Sequence, residues 1–190
     1  QLPADGVSIT RIYQDAARKG TQYPAICGNL YQHVYILPLS GAWLELPIVV
    51  TEFAGPIISL MVFAHLLATA PTALLMDALV VPTILASKAG ASDMMQWMHQ
   101  RFLALPEVAR LGPHLFAGQI YGPHNQVTDA GSRGRRDELE RIMAHLGHTA
   151  QWPEIPQRAY DLLDDAVEKW RELEVARLAT TARPSTTPAG

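Results

Sequence analysis

The chain has 190 residues, a net charge of −3, 48% apolar side chains and one cysteine, and a chain this long can bury a core without disulfide or metal staples. Lone Cys27 excludes an intrachain disulfide and suits a reducing, cytoplasmic setting, while the opening QLPADG carries no charged stretch running into an apolar one, so no secretory leader is expected. The acidic balance, with no basic stripe interleaved with aromatics, argues against a nucleic-acid partner.

In chain order, Ser8 is placed to cap a helix running to Lys19, with Ile9, Ile12, Tyr13, Ala16 and Ala17 at helical spacing and Gly20 beyond its end. A second helix is expected over 24–36, with Pro24 in its first turn and Asn29 and His33 on one face. The stretch AWLELPIVVTEF is ambiguous. IVV favours a strand, but the spacing of Trp43, Leu46, Val50 and Phe53 favours a helix kinked at Pro47.

The run from Ala54 to Ser87 holds one formal charge, Asp77, and one histidine, His65, and must lie at the centre of the molecule. Pro71 and Pro82 interrupt it, and no Lys or Arg flanks it before Lys88, so it is read as core and not as a membrane span. It parses into short, nearly all-apolar helices over 57–69, 72–80 and 83–89.

Ser92 and Asp93 open a further helix, ended by Pro106. Residues 112–134 are rich in Gly and Pro and read as a long loop, with His114, Tyr121, His124 and Asn125 as lid residues. Two final helices follow, one closed by Gly147 and one over about 155–179, before a tail from Thr180 that lacks apolar residues. The expectation is therefore an all-α, compact bundle of about eight proline-broken helices, forming a single domain over 1–179 with a mobile tail over 180–190.

Chemistry is narrowed first by what is missing. There is no GxGxxG after a strand, no GxxxxGK[ST], HExxH, CxxC or GxSxG, and no cofactor is expected. What remains is polar groups embedded in apolar sequence. A buried Asp77 carboxyl would have a raised pKa and work as an acid or base; alternatively it caps a helix or takes an exposed turn. His65 is a general base, a metal ligand or a core histidine donating to a backbone carbonyl. Glu45 and Glu52, seven apart, would combine with His33, His65 or His99 in a metal site, though the spacing lacks the Glu-x-x-His of di-iron bundles. Met94, Met95 and Met98 read as core filler, and Arg133, Arg135 and Arg136 as a solvated helix start facing Asp137, Glu138 and Glu140.

Tyr13, Asp15, Pro24, Leu30, Pro38 and Trp43, in the segment Ile12 to Trp43, resemble the IYxDI…VPxVxxxxRxLAxxPGxLxxAW pattern of the all-helical 2-haloacid dehalogenases and related carboxymuconolactone-decarboxylase-like proteins. That resemblance implies a mostly apolar pocket in which a carboxylate activates water to displace a substituent from a small carboxylic acid. Burial, not the family, nominates Asp77 as base, Asn29 to position water and His65 or His33 to polarise the ligand, with His33, Trp43, Trp97, His99 and Tyr121 as ligand-binding residues. Two other readings stand beside this small-molecule hydrolase: a non-enzymatic helical binding protein, using surplus apolar surface as a homodimer seam, and a metal or haem protein ligated by His33, His65 or His99.

Overall fold

A computed structural model describes residues 8–17, 21–68, 70–78, 80–87 and 92–181. The first expected helix is a strand, β1 (Thr10–Ala16), in which Ile12, Gln14 and Ala16 are buried on one face while Arg11, Tyr13 and Asp15 occupy the other. The second expected helix is a hairpin. Strand β2 (Ala25–Leu30), buried at every residue as a strand covered on both sides should be, turns at Tyr31 and Gln32 into β3 (His33–Pro38). Strands β4 (Thr72–Met76) and β5 (Leu115–Gln119) complete a five-stranded sheet in the order β3-β2-β1-β4-β5. The three leading strands are antiparallel, whereas β4 runs parallel to β1 and β5 parallel to β4.

Helix α1 (Ile48–Val62) crosses one face of the sheet over β1 and β2 and is buried from Val50 to Val62 except at Glu52. Around it pack α2 (Val80–Ser87), α3 (Asp93–Leu103), α4 (Pro106–Leu111) and α7 (Gln157–Thr181). The other face is covered by α5 (Gln126–Ser132), which packs on β1, β2 and β3 and carries α6 (Arg136–His145). Two cores result. The larger one joins Ile12, Ile26 and Leu74 to α1 and its surrounding helices, and the smaller one holds Cys27, Val34, Ala130, Leu139 and Met143 under α5 and α6.

The all-α bundle is thus corrected to a mixed, three-layer α/β domain. The error has a physical origin: β2 is buried throughout and β4 at every residue but half-buried Leu75, and such short runs carry no period that tells a strand from a buried helix. The proposed helix over 72–80 falls on β4, and the proposed loop over 112–134 contains both β5 and α5. IVV opens α1, the helices expected after Ser92 and toward the C-terminus are present, and residues 182–190 of the expected tail lie outside the described residues.

Close approach of α1 to the sheet depends on Gly28. A β-carbon there would fall 2.6 Å from Ser59 Oγ and press on the ring of fully buried Tyr35. The Tyr35 hydroxyl in turn donates to the Gly55 carbonyl at 3.3 Å and lies 3.0 Å from Ser59 Oγ. Overpacking of this kind costs about 1–3 kcal/mol. Gly28→Ala is expected to lower stability by that amount in denaturant titration, and an unchanged midpoint would show that α1 is free to shift outward.

Candidate active site

The register that pairs Ile12 with Leu74 and Tyr13 with Leu75 brings Asp15 and Asp77 to the neighbouring carboxyl ends of β1 and β4. Ligands of open α/β sheets bind at such ends. Glu52, the only charged residue of α1, joins them: Gln14, Asp15, Glu52 and Asp77 line one cavity of about 10 Å³, room for roughly one water. Pro56 has no N–H to offer the Glu52 carbonyl one turn earlier, so the helix ladder is open at the same residue.

From the opposite face, α5 supplies the remaining polar groups. Ser132 Oγ donates to Asp15 Oδ2 at 2.8 Å, and the Ala16 N–H donates to Asp15 Oδ1 at 2.9 Å. Asp129, one turn before Ser132, accepts from Arg133 Nε at 3.0 Å and adds its charge to the field at Asp15. Burial pushes the Asp15 carboxyl up to about 6, with Asp77 and Asp129 contributing and the Ser132 hydrogen bond opposing. Burial likewise pushes Glu52 up to about 7, helped by Asp77 and Asp15.

Crowded carboxylates of this kind suit a hard divalent cation, which oxygen donors hold and whose charge cancels their repulsion. The donor set fits: Asp15, Glu52 and Asp77 share the cavity, Asp129 flanks it, and Asp77 opens it to solvent. Gln14 adds an independent sign. Its side-chain N–H donates to the Leu75 carbonyl at 3.0 Å, which leaves Oε1, buried in the same cavity wall, without a hydrogen-bond partner. Among the described residues no three His, Cys, Asp or Glu side chains stand as a ready-made cation cage, so the carboxylates would close in on binding.

Of the residues nominated from sequence, Asp77 lies in this cavity and exposed to solvent, not in sealed core. His65 is exposed in a turn beyond the far end of α1, and the helix from Glu52 to Val62 already spans about 15 Å, so the two do not meet. Asn29 spends its side-chain amide on the Tyr31 and His33 carbonyls. His33 opens β3 on the sheet's edge, its pKa lowered by burial and by nearby His65. Trp43 holds α7, donating to Asp164 Oδ1 at 2.8 Å and stacking on Tyr160; Trp97 lies under Arg101 on α3. His99 is buried against Phe102, and Tyr121 is exposed. Glu45 pairs with Arg171, away from Glu52, and no shared metal site forms. Sequence reasoning names Asp15 only as part of the resemblance and misses Asp129 and Ser132; their signal as site residues lies in the alternation of β1 and in tertiary contact with α5.

Structural comparison places this arrangement. RNase H1 from the archaeon Halobacterium salinarum superposes with a TM-score of 0.53 at 14% identity, over 69% of this chain and 99% of that one. The chain has an RNase H-like fold. LC11-RNase H1, crystallised in complex with an RNA/DNA hybrid, superposes with a TM-score of 0.52 at 14% identity, over 64% of this chain and 91% of that one. No protein-family model and no curated protein sequence matches the chain. The fold overturns the resemblance to all-helical dehalogenases, whose matched residues Tyr13, Leu30 and Pro38 are strand residues here, and with it the small-molecule dehalogenase-like activity. The exclusion of nucleic acid is overturned as well. Net charge describes the whole surface, whereas an RNase H1 of this fold engages a hybrid. Among the described residues no helix is long and apolar enough to cross a membrane.

A consequence for stability follows from the raised carboxyls. In the unfolded chain they titrate near 4, so between about pH 4 and pH 7 the folded state holds more protons. The stability they contribute is full below pH 4 and is lost as pH rises through 6 and 7. In chelator the melting temperature is expected to fall from pH 5 to pH 8 more steeply for the wild type than for Asp77→Asn, and excess Mg²⁺ is expected to restore it at pH 8. Equal slopes for the two proteins would contradict this coupling.

Proposed function

We propose that this chain is a divalent-cation-dependent nuclease that hydrolyses the RNA strand of RNA/DNA hybrids. One observation carries the reading: Asp15, Glu52 and Asp77 meet in a single cavity at the carboxyl ends of β1 and β4, within a fold shared with RNase H1 proteins. In the reaction water adds to phosphorus, the ester P–O bond breaks, and the proton of the water ends on the departing oxygen.

Asp15, Glu52, Asp77 and Asp129 would hold the cation, which when bound supplies Lewis-acid charge against the phosphoryl oxygens. The side chains divide the remaining work. Ser132 and the Ala16 N–H fix both oxygens of Asp15, so its carboxylate direction is set before substrate arrives. Asp77, exposed just past the end of β4, would be the cation donor nearest the incoming substrate backbone. Glu52, pushed up to about 7 by burial, would give up its proton on binding the cation and complete the donor set from α1. Arg133 pairs with Asp129 and holds it on the α5 face nearest Asp15. The single, buried Cys27 supports a reducing cytoplasmic setting.

The test is cleavage of an end-labelled RNA/DNA hybrid in Mg²⁺ or Mn²⁺, with chelator as control. Activity is expected from the wild type, with a loss of about 10²–10⁴-fold in Asp15→Asn, Glu52→Gln and Asp77→Asn. An inert wild type, or an Asp15→Asn/Asp77→Asn protein that still cuts, would end the reading.

A further inference from the structure

A second cavity, of about 360 Å³, opens on the sheet face that carries Asp15. Side chains of β1 alternate, so Arg11, Tyr13 and Asp15 form one row on that face, and Arg11 lies about 13 Å along the strand from Asp15. Arg11 and Tyr13 form one wall of the cavity, Tyr31 and His148 stand at its rim, and Ile142 and Met143 of α6 form an apolar wall. Among the described residues no carboxylate lines it, in a chain whose net charge is −3. We propose that this cavity binds one nucleotide of the strand that enters the carboxylate site, its base against the tyrosines and its phosphate on Arg11.

Each part of that ligand has a counterpart. An aromatic base has a π-face that stacks on tyrosine and an apolar edge that suits Ile142 and Met143. A phosphate is matched by the guanidinium of Arg11, which is exposed. Along a duplex axis about 13 Å is the rise of roughly four nucleotides, so one strand can occupy both sites.

The backbone gives an independent sign. Tyr31 is the only non-glycine residue among those described with a left-handed conformation, at φ +52°, and it is 54% exposed. Glycine or asparagine would occupy such a turn position at lower cost. The side-chain amide of Asn29 donates to the Tyr31 carbonyl at 2.7 Å and to the His33 carbonyl at 3.0 Å, locking the turn that carries the ring to the cavity. The two-residue turn between β2 and β3 calls for this left-handed conformation, so the hairpin itself sets where the exposed ring sits.

The proposal takes from the nuclease reading only that the ligand is nucleic acid, and its test does not require turnover. Equilibrium binding of a short fluorescein-labelled RNA/DNA hybrid would be measured in chelator for the wild type, Arg11→Ala, Tyr31→Gly and Arg177→Ala. Tyr31→Gly removes the ring while relieving the left-handed strain, so it folds at least as well. Arg177, in a surface pair with Glu174 near the end of α7, controls for loss of one positive charge. Arg11→Ala and Tyr31→Gly are each expected to raise Kd about tenfold, with Arg177→Ala within twofold of wild type. Wild-type affinity in both cavity variants, or a wild type that binds no hybrid, would overturn the proposal. Cavity-dependent binding by a protein that cuts nothing would uphold it and remove the nuclease reading instead.

Discussion

Carboxylates repel one another, and this fold holds three of them around a space the size of one water. Two are brought together by the parallel register of β1 and β4, which sets Asp15 and Asp77 at neighbouring strand ends. The third depends on how closely α1 lies on β2, and hence on the missing side chain at Gly28. Burial first, and that repulsion second, push the Asp15 and Glu52 carboxyls up, and a bound cation would relieve both.

The rest of the chain supports that constraint unequally. On the α1 face a large core, tied at its outer edge by Glu107 with Arg158 and Glu45 with Arg171, makes the helix carrying Glu52 a rigid part of the scaffold. The α5 face rests on a much smaller cluster, and Gly131 lies so near Cys27 that any side chain there would collide with the sulfur. Asp129, Ser132 and the nucleotide-sized cavity all depend on this thinner layer. Where a molecule of this design adjusts to substrate, the α5 side is the side with fewer contacts to break.

Much of this was legible in the sequence as burial and little of it as topology. The run around α1 announces itself as core because it carries almost no charge, and that same scarcity makes Glu52 and Asp77 conspicuous. Those grounds nominate Asp77 as a catalytic group; in the structure its neighbours are the carboxylates Asp15 and Glu52, not His65. Asp15 was hidden. Ile12, Tyr13, Ala16 and Ala17 fit a helix as well as a strand, and only pairing with β2 and β4 decides between them. Asp129 lies in a Gly- and Pro-rich stretch that reads as loop because α5 is a single short helix stabilised by tertiary packing. Overall charge is a poor guide to nucleic-acid partners in this fold, since net charge averages over the whole surface and a carboxylate cluster adds to the acidic side of the count.

The most direct test of the account is a crystal structure of the protein grown with Mn²⁺, read by anomalous scattering. The account predicts a peak between the Asp15 and Asp77 side chains, with Glu52 drawn toward it. Crystals in which Mn²⁺ is bound elsewhere while this cavity shows no peak, with Asp15 and Glu52 protonated and apart, would contradict it.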